Sequence, residues 1–106
     1  MTDIYKIGVV GEEGAVKGFL SLGFEVKSVS NALESKDALE SLKKDSCAVV
    51  FITSDFYEKA NAERYKSDPL FTVIPIPTPN DNSDIGTRRL KKYVEKAVGA
   101  DILFNK

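Results

Sequence analysis

Apolar residues in this chain follow two alternating rhythms, short unbroken runs and wider stripes of helical spacing. Ile4–Val10 is β-branched and apolar nearly throughout and stops at Gly11. Ala48–Ile52 and Phe71–Ile76 have the same character. Runs of this kind suit strands buried on both faces, as in a parallel sheet, better than one-sided antiparallel strands. Phe24–Val29 alternates instead, with Phe24, Val26 and Ser28 set against Glu25, Lys27 and Val29. That pattern predicts an edge strand with one face toward water.

Between the runs the period becomes helical. Val16, Phe19 and Leu20 share one face of a first helix, and Gly23 follows in a helix-ending position. A second helix opens at Asn31 with Glu34 three residues on, a capping-box-like start, and carries Ala38, Leu39 and Leu42 on one stripe. Ser54 or Asp55 caps a third, with Phe56, Tyr57, Ala60 and Tyr65 on its apolar side. In the fourth, Leu90, Tyr93, Val94, Ala97 and Val98 follow the i, i+3, i+4, i+7, i+8 spacing up to Gly99. The order is βαβαβαβα with short connections, which predicts an α/β fold: a four-stranded parallel sheet, right-handed crossovers and helices on both faces. Residues 1–106 are expected to form a single domain, with an exposed loop over 77–84 and a C-terminal tail over 100–106.

Composition agrees with an ordinary globular domain, 42% hydrophobic and 29% charged, enough apolar material to offset the ordering entropy of the chain. The formal net charge of -1 provides no global field to recruit nucleic acid or an anionic surface. Cys47 is the only cysteine and histidine is absent, so neither an internal disulfide nor imidazole chemistry is available. The start Met1–Lys6 lacks the basic and apolar segments of a signal peptide, and no apolar run reaches the roughly 20 residues of a membrane span. A cytoplasmic protein without direct membrane insertion is the expectation.

The receiver-like, Rossmann-like element order makes a phosphate or nucleotide site the first chemical question. Gly8, Gly11 and Gly14 flank the first βα turn, but their spacing is not that of the dinucleotide fingerprint, and no G-K-[ST] completes a P-loop. Glu12 and Glu13 would repel a phosphate there; acidic residues in a first helical turn complement the helix dipole. A response-regulator receiver is the alternative reading, with Glu12 and Glu13 as its acidic pair and Asp55 as phosphoacceptor. Against it, Asp55 is more simply a helix cap, and the fourth strand ends in Ile76-Pro77 with no lysine after it to sense a phosphoryl group. Cys47 reads as a small hydrophobe, and Asp45, Glu58 and Asp68 lack metal-binding spacing. No catalytic, cofactor or metal residue is assigned.

Several segments carry a resemblance when taken in order. They are Lys6-Ile7-Gly8-Val9-Val10-Gly11, Gly18-Phe19-Leu20-Ser21-Leu22-Gly23, Ala48-Val49-Val50-Phe51-Ile52-Thr53, Ile74-Pro75-Ile76-Pro77, Ile85-Gly86, and the stretch from Val94 to Leu103 with its Gly-Ala-Asp-Ile-Leu ending. Together they resemble the F subunit of V-type ATPases and archaeal-type ATP synthases, across essentially the whole chain. Thr78-Pro79 departs from the family, many members of which have Gly after the Ile-Pro-Ile-Pro element. The resemblance implies a non-catalytic central-stalk subunit bound to the coiled-coil D subunit. The pair would turn inside the A and B catalytic head, link it to the rotor, and support coupled sodium or hydrogen ion transport.

A protein of that kind needs a surface for a helical partner. Arg88, Arg89, Lys91, Lys92 and Lys96 make the fourth helix basic; each alone reads as a solvated side chain, but as a group they suit acidic residues on the shaft. Ile102, Leu103 and Phe104 either cover the base of the domain or anchor the partner. Arg88, Arg89, Lys92, Ile102, Leu103 and Phe104 are therefore the candidate partner-binding residues.

Overall fold

In the computed structural model, the residues described are 6–78, 88–90, 92–94 and 96. Strand β1 (Lys6–Gly11) leads through the single turn α1 (Glu13–Val16) into a 3-10 helix (Lys17–Leu22), and then β2 (Glu25–Ser28). Next come α2 (Ala32–Lys44), β3 (Cys47–Thr53), α3 (Ser54–Lys59), a 3-10 turn (Ala62–Tyr65) and β4 (Thr72–Ile76). Residues 88–90, 92–94 and 96 are helical and are called α4. The four strands form one all-parallel sheet in the order β2-β1-β3-β4. The expected α/β fold is thus present, and Phe24–Val29 does hold an edge strand.

The other edge is β4, whose Pro75 has no N–H for a further ladder, a residue that sheets tolerate only at such a place. Strand alternation splits the core in two. On one face Val10, Val50 and Ile52 meet Leu39 and Leu42 of α2 and Phe56 of α3, with Tyr65 and Phe71. On the other, Val9, Phe51 and Ile76 meet Val16 and Phe19 and, from α4, Leu90 and Val94. Helices therefore cover both faces, and each large side chain removed from water stabilises the fold by about 1.5–3 kcal/mol.

Local chemistry sets the second helix as expected. Asn31 accepts the Glu34 N–H at 2.8 Å, and Glu34 reaches back to accept the Ser30 N–H at 2.7 Å. The first helix differs. A single α turn gives way to 3-10 geometry, whose three-residue repeat groups Val16, Phe19 and Leu22 on the core side and leaves Leu20 64% exposed. Gly23 ends that segment in the left-handed region, with φ 80°. The third helix is also capped otherwise than its sequence suggests: its N-cap position is Thr53, and no side chain of the segment itself closes it. In the fourth helix Leu90 and Val94 are buried, but Tyr93 turns outward; Ala97, Val98 and Gly99 lie outside the described residues.

Candidate functional site

Open parallel sheets usually bind ligands at the carboxyl ends of their strands, where the strand order reverses, here between β1 and β3. At the end of β1 the packing around Gly11 is close. A Cβ added to Gly11 would lie 2.8 Å from Val16 Cγ1 and 3.0 Å from Thr53 Cγ2, so the close approach of these side chains requires glycine. Thr53 is 1% exposed, and among the described residues its buried hydroxyl has no hydrogen-bond partner in good geometry.

Beyond Thr53, the start of α3 is tied to the end of β4. The Thr78 hydroxyl donates to Asp55 Oδ1 at 2.9 Å and accepts the Asp55 backbone N–H at 3.1 Å. Ser54 Oγ lies 3.0 Å away; because the Thr78 proton is engaged, Ser54 is the donor. With one proton given and two accepted, the hydroxyl is saturated. Burial is the largest influence on Asp55 and opposes its ionisation. Hydroxyls at Thr53 (without good hydrogen-bond geometry) and Thr78, the Phe56 N–H and the Lys59 charge together outweigh it and hold the carboxyl below its ordinary value. Lys59 itself lies over the Phe56 ring, 5.1 Å from its centroid, on the same helix as Asp55. Asp55 is therefore held in a structural latch, in contrast to a phosphoacceptor that faces a cation across the sheet.

The basic positions gather on α4. Leu90 and Val94, four residues apart, point into the core, while Arg88, Arg89, Lys92 and Lys96 are exposed. Tyr93, expected on the buried stripe, is 51% exposed. The structure thus brings Arg88, Arg89 and Lys92 onto one outward arc. Ile102, Leu103 and Phe104 lie outside the described residues, as does loop 77–84 apart from Pro77 and Thr78. Two residues were missed by sequence reasoning: Thr78, whose role depends on a partner far along the chain, and Tyr93, whose only sequence signal is the row of cations around it.

Two ion pairs sit on the opposite face. Lys43 meets Asp68 at 3.0 Å, and Arg64 meets Glu40 at 3.6 Å. The Tyr65 hydroxyl donates to Glu40 and accepts from Arg64 at 3.0 Å, clamping the second 3-10 turn to α2. Burial raises the pKa of the Cys47 thiol, the opposite of what a reactive thiolate needs. Among the described residues, no cluster of three or more His, Cys, Asp or Glu could hold a metal ion. No described helix is long and apolar enough to cross a membrane.

Residues 7–94 match the sequence profile of the family described as ATP synthase (F/14-kDa) subunit. The F subunit of the V-type ATP synthase of Clostridium botulinum (strain Eklund 17B / Type B) is 40% identical over 100 residues, spanning 92% of this chain and 97% of that protein. Its counterpart in Clostridium perfringens (strain 13 / Type A) is 38% identical over 104 residues, spanning 95% and 99%. Among solved structures, the F subunit of the V-type ATP synthase of Archaeoglobus fulgidus superposes with a TM-score of 0.52 at 23% identity. That alignment covers 68% of this chain and 99% of the other, and it concerns the fold.

Proposed function

The chain belongs to the family described as ATP synthase (F/14-kDa) subunit, and on that premise we propose that it is a non-catalytic central-stalk component of a V-type or A-type rotary ATPase. In that role it binds the coiled-coil D subunit, works with the A/B head and the rotor-connecting subunit, and supports ATP-driven ion transport from a position peripheral to the membrane. The observation that carries this reading is the family match over residues 7–94, which takes in every described strand from Ile7 onward and reaches Val94 of α4. Two structural features support it. At the switch point Val16 and Thr53 pack closely on Gly11, and α4 turns a basic arc to solvent while holding the core with Leu90 and Val94.

Arg88, Arg89 and Lys92 are the first contact set in this reading, and Ile102, Leu103 and Phe104 the second. Cations on an outer face gain little from the fold itself and act mainly on partner choice and association rate. The test is co-expression with a candidate V-type ATPase D subunit, then gel filtration, with coelution expected. Charge reversal at Arg88, Arg89 and Lys92 is expected to weaken the complex at low salt without unfolding the domain. Separate elution of the two unmodified chains would sink the reading.

A further inference from the structure

Tyr93 stands out among the exposed apolar side chains. Leu33 and Leu70 are single exposed leucines of the kind every soluble surface carries. Tyr93 is framed by cations. At about 100° per residue, it lies beside the buried stripe of Leu90 and Val94, with Arg89 one turn before it, Lys96 about one turn after and Lys92 adjacent on the outer side. All three flanking residues are exposed.

The wider face has the same sign. The described charged residues on α1, the following 3-10 helix and α4 are Lys17, Arg88, Arg89, Lys92 and Lys96 against Glu12 and Glu13 at the start of α1. An exposed aromatic ring with arginine beside it is the composition that most often carries binding energy at protein interfaces. A rim of one sign selects a partner of the other and speeds encounter. A polyanion such as nucleic acid suits the patch poorly, because the whole chain carries a net charge of -1. The patch is the convex side of a helix, and such a surface packs closely against another helix, side chains seated between ridges.

We propose that Tyr93, rimmed by Arg89, Lys92 and Lys96, is the anchor by which this chain docks on an acidic α-helix that offers an apolar seat flanked by Asp or Glu. This deepens the shaft-binding reading above and rests on it. The ring supplies affinity by leaving water, and the cations supply register and salt dependence.

Binding of the full chain to the D subunit by calorimetry, at low and at high salt, separates these roles. Tyr93→Ala is expected to weaken binding about tenfold or more at both salt concentrations, the size of a hot-spot loss. Tyr93→Phe, which keeps the ring, is expected to stay within about threefold by the same reasoning. The triple variant Arg89→Ala, Lys92→Ala, Lys96→Ala is expected to weaken binding at low salt and to converge on the wild type at high salt. Because Tyr93 is 51% exposed, its truncation opens no core cavity, and the variant is expected to melt as the wild type does. If both Tyr93→Ala and the triple variant bind D like the wild type, the docking inference is overturned while shaft binding stands. If the unmodified chain does not bind D, both fall. Wild-type binding to phosphatidylglycerol vesicles that the triple variant loses would overturn the inference in favour of a membrane-facing patch.

Discussion

The Thr78 hydroxyl closes the first turn of α3 from the end of a different strand, accepting the Asp55 N–H at 3.1 Å and donating to the Asp55 carboxylate at 2.9 Å. The first N–H groups of any helix lack partners within it, and a neighbouring residue usually supplies one. Here the acceptor comes from 23 residues further along. The β3–β4 register makes this possible: Thr53 pairs with Ile76, so the residues two beyond each, Asp55 and Thr78, leave the sheet side by side.

Thr78→Val removes that acceptor and donor together while keeping the shape of the side chain. The expected loss is about 1 kcal/mol of unfolding free energy, the usual worth of a helix cap. Thr78→Ser should restore most of it. Urea denaturation of the three proteins is the measurement, and equal midpoints for Thr78→Val and wild type would show that the latch contributes nothing.

The ionised form of Asp55 is favoured in the fold, which fixes the sign of a pH effect. Its pKa lies below the ordinary 3.8, so its contribution to stability is fully present above that value and is lost as pH falls through the depressed one. Asp55→Asn keeps an acceptor for Thr78 and removes the charge. Wild type is expected to exceed this variant in stability near pH 6, with the gap closing as pH falls below 3.8. Chemical denaturation across that range checks it. Asp68, held low by the Leu70 N–H and Lys43, should leave part of the acid sensitivity in place.

Phe19 and Leu20 are neighbours with opposite fates. Phe19 is 1% exposed and stacks on Phe24 with ring centroids 5.9 Å apart, whereas Leu20 faces water. Phe19→Ala is expected to cost about 3–5 kcal/mol. Leu20→Ala should stay within about 0.5 kcal/mol. Thermal melts of the pair test the 3-10 geometry, since an α-helical continuation would bury Leu20 one turn after Val16 and make its truncation costly.

Gly11 and Gly18 offer a matched contrast. Alanine at Gly11 would press against two β-branched side chains, Val16 and Thr53, which have no flexible end to move aside. A loss of about 1–3 kcal/mol is expected, as for other over-packed sites. At Gly18 an added Cβ meets no described residue within 4 Å, and alanine there should be neutral or slightly stabilising. Comparable losses at both positions would contradict the packing described for the carboxyl edge.

How far the sequence reached depended on how local each feature is. The Ala48–Ile52 run became the middle of β3, with Val50, Phe51 and Ile52 buried, and Ala38, Leu39 and Leu42 became the buried face of α2. Asn31 and Glu34 cap that helix by reaching only a few residues. These features rest on periodicity and short-range hydrogen bonds, which the order of residues states directly. The exposure of Arg88, Arg89 and Lys92 was legible to the same degree: they are cations at helical spacing, and cations stay in water.

Tertiary structure decided the rest. Tyr93 has a ring that suits the core and a hydroxyl that suits water; at the margin of the stripe, only the line of contact between α4 and the sheet determines its side. The choice of 3-10 over α geometry at Lys17–Leu22 set which of Phe19 and Leu20 was buried, though both are apolar. The third helix looked self-capped because Ser54 and Asp55 are good capping residues, yet its partner is Thr78, brought within reach by the pairing of two parallel strands. By itself, then, the chain determined its elements, their order and the sign of its basic face. The packing of those elements against one another determined which side chains meet, because hydrogen bonds and burial depend on distance in space, and residues far apart in the chain acquire a fixed distance only in the folded molecule.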